Sequence, residues 1–167
     1  MTGERAKSRE KGAWQAIPHG AAPSAPALYG RKNVAQSANY NGAALAYLGD
    51  AVLELLTRHT LLLSGVTNVG ELNRMAAAYV RATVQSEAVD RLLPVLTEEE
   101  NAVYRRGRNA SSHSIPKSAS PREYRRATGM EALFAHLYLA GQFDRLHELF
   151  AVAFPQSSAH LCQEDKQ

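Results

Sequence analysis

The stretch Tyr47-Leu48-Gly49-Asp50-Ala51-Val52-Leu53-Glu54-Leu55 decides the fold. Leu45, Leu48, Val52, Leu55, Leu56, His59 and Leu62 recur around it at three- and four-residue steps, the period of a helix with one apolar stripe. Gly49 interrupts that helix at a cost of about 1 kcal/mol relative to Ala, so a close neighbour or a ligand needs the space. Asp50 follows, and Asp prefers caps and turns to helix interiors. On this stretch alone it reads equally well as a solvated surface carboxylate or as a functional one.

Working outward, the rest of the chain repeats the helical reading. The first helix is expected from about Asn41 to Leu63, stopping at Ser64-Gly65. A second begins near Asn68, where Asn68-x-x-Glu71 resembles a capping box. It runs to Pro94, with a break expected near Gln85–Ala88 because the span is long for one helix. Thr97-Glu98-Glu99-Glu100 is a capping box for a short helix that ends at Arg105-Arg106-Gly107. After a polar loop over 109–119, Ser120-Pro121-Arg122-Glu123 combines an N-cap, a first-position Pro and a third-position Glu. That helix stops at Gly141, and a last one over Gln142–Phe154 is expected to bury Phe143, Leu146, Leu149 and Phe150. Nothing alternates as a strand would. The fold class is all-α, a helical bundle.

A chain of 167 residues, 45% hydrophobic, has material for one domain with a sizeable core. Residues 1–39 show no period and read as a disordered basic extension, residues 40–155 as the folded domain, and residues 156–167 as a flexible tail. The extension has something of an organelle transit segment, but Glu4 and Glu10 favour a plain tail. No apolar run approaches the ~20 residues of a membrane span, so a soluble protein is expected. The single cysteine, Cys162, excludes a disulfide framework and any multi-cysteine zinc site.

Charge is unevenly placed. Residues 40–155 hold 12 Lys/Arg and 12 Asp/Glu, yet 105–126 holds seven basic residues against Glu123 alone, a net of +6. One basic segment on an otherwise acidic scaffold points to a polyanion met at one place.

The helix from Ser120 carries a second anomaly of the first kind. In Thr128-Gly129-Met130-Glu131-Ala132-Leu133 a glycine again stands in mid-helix beside a carboxylate. Two carboxylates, each beside a glycine that admits another backbone, would form a hard-oxygen site of the sort Mg²⁺ uses. Spacing does not say whether Asp50 and Glu131 meet. His113 and His136 are not spaced as a metal pair, and His59 and His136 read as packed histidines. There is no phosphate loop of the Walker type and no dinucleotide fingerprint.

The string Tyr47–Leu55 closely resembles the signature of the ribonuclease III catalytic domain. Arg105-Arg106-Gly107-Arg108-Asn109-Ala110, Ile115-Pro116-Lys117 and Tyr124-Arg125-x-Ala127-Thr128-Gly129-Met130-Glu131-Ala132-Leu133 look like its Mini-ribonuclease III branch. The resemblance covers roughly 40–154. It implies an all-helical homodimer that cleaves double-stranded RNA with Mg²⁺, lacks the separate duplex-binding domain of larger relatives, and trims large-subunit (23S-type) ribosomal RNA precursors. It further implies that Asp50 and Glu131 are the catalytic, metal-ligating carboxylates.

Ala46 and Thr128 stand where full-length enzymes carry further carboxylates. The branch generally lacks those too, so the departure agrees with the subfamily. Glu54 and Arg58 match signature positions, and an i,i+4 ion pair explains them. Arg105, Arg106, Arg108, Asn109 and Lys117 are the expected RNA contacts, since A-form duplexes are gripped through phosphates and 2′-hydroxyls. Arg122 and Arg126 are expected to pair with Glu98–Glu100 or with a partner subunit instead. The resemblance leaves room for a ribosomal protein that presents the substrate. It places the work in the cytoplasm, or in the chloroplast stroma of a photosynthetic eukaryote. The alternative function is a non-catalytic RNA-binding or ribosome-associated module on the same fold, and retention of both carboxylates favours the enzyme.

Overall fold

A computed structural model describes Ser37 and residues 39–110 and 119–155. The extension before Ser37, the tail after residue 155, His113 and Lys117 lie outside the described residues. Among the described residues the helices follow in order: α1 (Gly42–Leu63), α2 (Val69–Tyr79), α3 (Ala82–Leu92), α4 (Glu98–Arg108), α5 (Pro121–Leu139) and α6 (Phe143–Ala153), with a 3₁₀ turn at Leu93–Val95. Among the described residues there is no strand, and no helix is long and apolar enough to cross a membrane.

Local chemistry sets the helix starts. The Asn41 side chain accepts from the Ala44 N–H at 2.8 Å, and Asn68 accepts from the Glu71 N–H at 3.0 Å. Thr97 with Glu100 and Ser120 with Glu123 form complete capping boxes opening α4 and α5, each satisfying donors the helix itself leaves orphaned.

The helix at the centre is α5, not α1. It packs against α1, α3, α4 and α6, and Met130, Ala132, Leu133, Phe134, Ala135 and Leu137 lose all contact with solvent. Phe134 meets apolar side chains from several neighbours, so truncating it to Ala would cost roughly 3–5 kcal/mol.

Three expectations from sequence need correction. The break in the second helical span lies at Val80–Arg81, not at Gln85–Ala88, so α2 and α3 are separate. The buried stripe of α1 runs through Leu45, Gly49, Val52, Leu53, Leu56 and Leu61, whereas Leu55, His59 and Leu62 are exposed. Phe143 begins α6 on its outer side at 37% exposure, set edge-on to Tyr138.

Candidate active site

Gly49 explains how α1 meets α5. A Cβ on Gly49 would lie 1.8 Å from the Glu131 carbonyl oxygen and 2.8 Å from its Cα, so no larger residue permits this crossing. Gly129 does the same on the other side of α5, where a Cβ would meet the Tyr104 ring of α4 at 2.6 Å. The two glycines singled out in the sequence thus lock α5 between α1 and α4. The crossing at Gly49 brings Asp50 and Glu131 to one place.

Asp50 and Glu131 line a cavity of about 370 Å³ together with Ala46, Tyr47, Tyr124 and Thr128. The Thr128 hydroxyl donates to the Tyr124 carbonyl at 2.9 Å, so its proton is already used within α5. Among the described residues no basic side chain lines this cavity. Among the described residues the two carboxylates therefore share this cavity without a counter-ion. Burial, and after it the Asp50 charge, raise the Glu131 carboxyl from 4.5 to about 7. Burial, and after it Glu54, raise Asp50 as well. Asp50 is the more exposed of the two, and its charge adds to burial in holding the proton on Glu131.

Such a pair fits a hard divalent cation. Mg²⁺ takes one or two carboxylates and keeps several waters, in contrast to ions that require a full protein cage. Among the described residues no group of three or more His, Cys, Asp or Glu side chains gathers anywhere, which suits an ion that completes its shell with water and phosphate oxygens.

The basic residues divide into two groups. Arg105, Arg108 and Asn109 are exposed at the end of α4. Arg108 reaches the Asn109 side chain at 3.3 Å and lies 6.0 Å from the Tyr104 ring centre. Arg106 turns inward: its guanidinium donates to the Ser37 carbonyl at 3.0 Å, and the Ser37 hydroxyl bonds His136 Nδ1 at 2.6 Å. Burial pushes His136 down and keeps its ring neutral. Arg126 does not pair with Glu98–Glu100; it binds Asp90 and the Ser86 carbonyl. Glu100 is taken by Arg145 at 2.8 Å. The Glu54–Arg58 pair forms as its spacing implies.

Sequence reading missed a second cavity of about 300 Å³ that shares Tyr124, Thr128 and Glu131 with the first. Its other wall is the start of α3, with Arg81, Thr83 and Gln85. The available signal was a polar residue in an apolar stripe, since Gln85 stands in register with Ala88, Val89 and Leu92.

Comparison with known proteins agrees with this geometry. The family model for the ribonuclease III domain matches residues 43–142. A Mini-ribonuclease 3 of Symbiobacterium thermophilum is 52% identical over 109 residues, covering 65% of this chain and 84% of that protein. One from Enterococcus faecalis is 47% identical over 111 residues, with the same coverage of 65% and 84%. A crystal structure of a Fusobacterium nucleatum protein matches with a TM-score of 0.64 at 30% identity, over 71% of this chain and 94% of that one.

Proposed function

Because the chain belongs to the ribonuclease III domain family, in its Mini-ribonuclease III branch, and is therefore an endoribonuclease, we propose that Asp50 and Glu131 are its catalytic carboxylates and hold Mg²⁺. The observation that carries this is the uncompensated carboxylate pair at the Gly49 crossing. When bound, Mg²⁺ supplies a water of lowered pKa and stabilises charge on a phosphoryl oxygen. The chain's part is to fix two oxygen ligands from separate helices on a rigid crossing. Glu131 must shed its proton to serve. Burial keeps it protonated near neutral pH without a cation, so ligation and deprotonation are coupled.

The substrate in this reading is a double-stranded region of RNA, in the maturation of large-subunit ribosomal RNA precursors, as the branch's established role suggests. Residues 40–155 are the catalytic domain. Arg105, Arg108 and Asn109 grip the backbone, joined by Lys117, while Arg106 anchors the segment before α1.

The active unit is a symmetric homodimer. Tyr47, Leu55 and Leu62 stand 86%, 61% and 60% exposed at one-helix-face spacing on α1, with Ala44 and Ala51 exposed between them. Such an apolar face rimmed by polar residues marks an interface, and a C₂ pair gives each strand of a duplex its own carboxylate pair.

Incubating the purified protein with precursor ribosomal RNA, with and without Mg²⁺, tests the catalytic reading. Cleavage should require the ion, and Asp50→Asn, Glu131→Gln and the double variant should be about equally inactive, as residues acting as a unit are. Near wild-type cleavage by Asp50→Asn in saturating Mg²⁺ would sink the assignment. Sedimentation tests the dimer: Leu55→Glu with Leu62→Glu should yield a folded, inactive monomer. An unchanged dimer would place the interface elsewhere.

A further inference from the structure

The second cavity, beside the carboxylate pair, is built from donors. Helix α3 begins at Ala82, and its N-cap, Arg81, makes no capping hydrogen bond with its side chain. The first N–H to bond back within this turn is that of Gln85, to the Arg81 carbonyl at 3.0 Å. The N–H groups of Ala82, Thr83 and Val84 are therefore left without a helical acceptor at the positive end of the helix dipole. Arg81 adds a full charge; among the described residues its Nε alone is engaged, with the Ala77 carbonyl at 3.4 Å. Thr83 adds a hydroxyl.

Gln85 is the decisive residue. It is 2% exposed, lines this cavity, and its side-chain amide has no hydrogen-bond partner among the described residues. The amide is not sealed in the core: among the described residues the buried side-chain atoms left without a partner are the Nε atoms of Arg106 and Arg126. It opens instead on the cavity it lines, where a ligand can reach it. Every group on this wall donates: a guanidinium, a hydroxyl, helix N–H groups and an amide. An anion is the complement. Among the described residues the only acid lining the cavity is Glu131, on the wall shared with the carboxylate pair.

We infer that this cavity binds a backbone phosphate of the RNA strand being cut, a neighbour of the phosphate presented to Asp50 and Glu131, with Gln85, Arg81 and the start of α3 as its ligands. This rests on the catalytic reading above for the direction of the strand, but not for the binding itself. Gln85 and Arg81 are positioning residues: they hold the strand so that the scissile bond reaches the carboxylates across the shared wall. The phosphate is an ester of the polymer or a free phosphate, and the two sources separate experimentally.

The test uses the full chain in EDTA, where duplex binding is read without metal-dependent cleavage. Gln85→Leu fills the same volume without the amide. It should weaken binding of a short RNA duplex by about tenfold, as loss of one bond to a charged group does, while its melting temperature stays level or rises. A merely structural glutamine would show the reverse, lower stability with unchanged binding. Arg81→Ala, an exposed position that does not endanger folding, should weaken binding and make the log–log salt slope shallower by about one.

If inorganic phosphate raises the melting temperature of the parent but not of Gln85→Leu, the cavity takes any phosphate. If only duplex binding responds, it takes the phosphate carried by RNA. Both support the site. Unchanged duplex binding and salt slope in both variants overturn it. Failure of the catalytic reading appears separately, as cleavage by Asp50→Asn in Mg²⁺, and leaves these binding measurements standing.

Discussion

Two glutamates on neighbouring helices meet opposite fates in this molecule. Glu100 on α4 is 5% exposed, yet its carboxyl lies below the usual range. Burial alone would raise it, and bonds from Arg145 and from the Thr97 N–H outweigh that burial. Arg145 holds it through Nε at 2.8 Å and through a second nitrogen at 2.9 Å, and spans to the Val95 carbonyl and Glu148 as well. Glu131 on α5 is buried and feels the Asp50 carboxylate, and it is raised to about 7. Burial penalises both; among the described residues only Glu100 has been given a cation. A buried carboxylate with its own arginine is part of the architecture, whereas one facing another carboxylate waits for a charge from outside.

The contrast predicts crossed effects of the same substitution, and activity shows the largest. Glu131→Gln should lower cleavage by about a thousandfold or more, since only Asp50 then remains to hold the ion. It should not lower stability, because the amide replaces a carboxyl that burial pushes toward its neutral form and that has no cationic partner among the described residues. Glu100→Gln should lower stability by about 2 kcal/mol, because Arg145 is left partly unpaired. Its activity per folded molecule should stay near wild type. Urea midpoints at constant slope, read beside single-turnover cleavage, check both halves. The comparison breaks if the two variants lose stability alike.

Much of this was legible in the sequence, for reasons that are local. Capping at Asn41, Asn68, Thr97 and Ser120 depends on residues three apart, so helix starts could be read directly. The glycines beside Asp50 and Glu131 could be read because mid-helix glycine is costly and needs a cause. The break at Val80–Arg81 could not, since no Gly, Pro or capping side chain marks it. Nor could the orientation of α1. Leu55 and Leu62 have the apolar character of core residues yet are exposed, and periodicity does not distinguish an apolar face packed within the chain from one left outside. The burial of Gln85 and the pairing of Glu100 with Arg145, 45 residues away, are long-range facts with only faint local traces.

The smallest effect is in pH, and it sharpens the comparison because the two glutamates act on opposite limbs of one curve. Take the protein without divalent metal. Glu131 binds its proton up to about 7 when folded but only up to its ordinary value near 4.5 when unfolded. Between those values the folded state carries the extra proton, so stability falls as pH rises and levels off above about 7. The full shift corresponds to at most about 3 kcal/mol, and partial solvent access reduces it. Asp50, also raised, adds in the same direction. Glu100 does the reverse: its folded carboxyl is lowered, so the stability it confers is present above its ordinary value and is lost as pH falls through the folded one. Wild-type stability should therefore slope downward on the neutral side, and Glu131→Gln should flatten that slope while leaving the acid side intact. Glu100→Gln should lower stability above the ordinary carboxyl range and flatten the acid limb, leaving the neutral slope in place. Saturating Mg²⁺ should flatten the neutral slope of the wild type as the substitution does, because the ion favours the ionised pair. Denaturation midpoints from pH 4 to pH 9 would show it; a neutral slope that survives in Glu131→Gln would mean that some other group carries the proton.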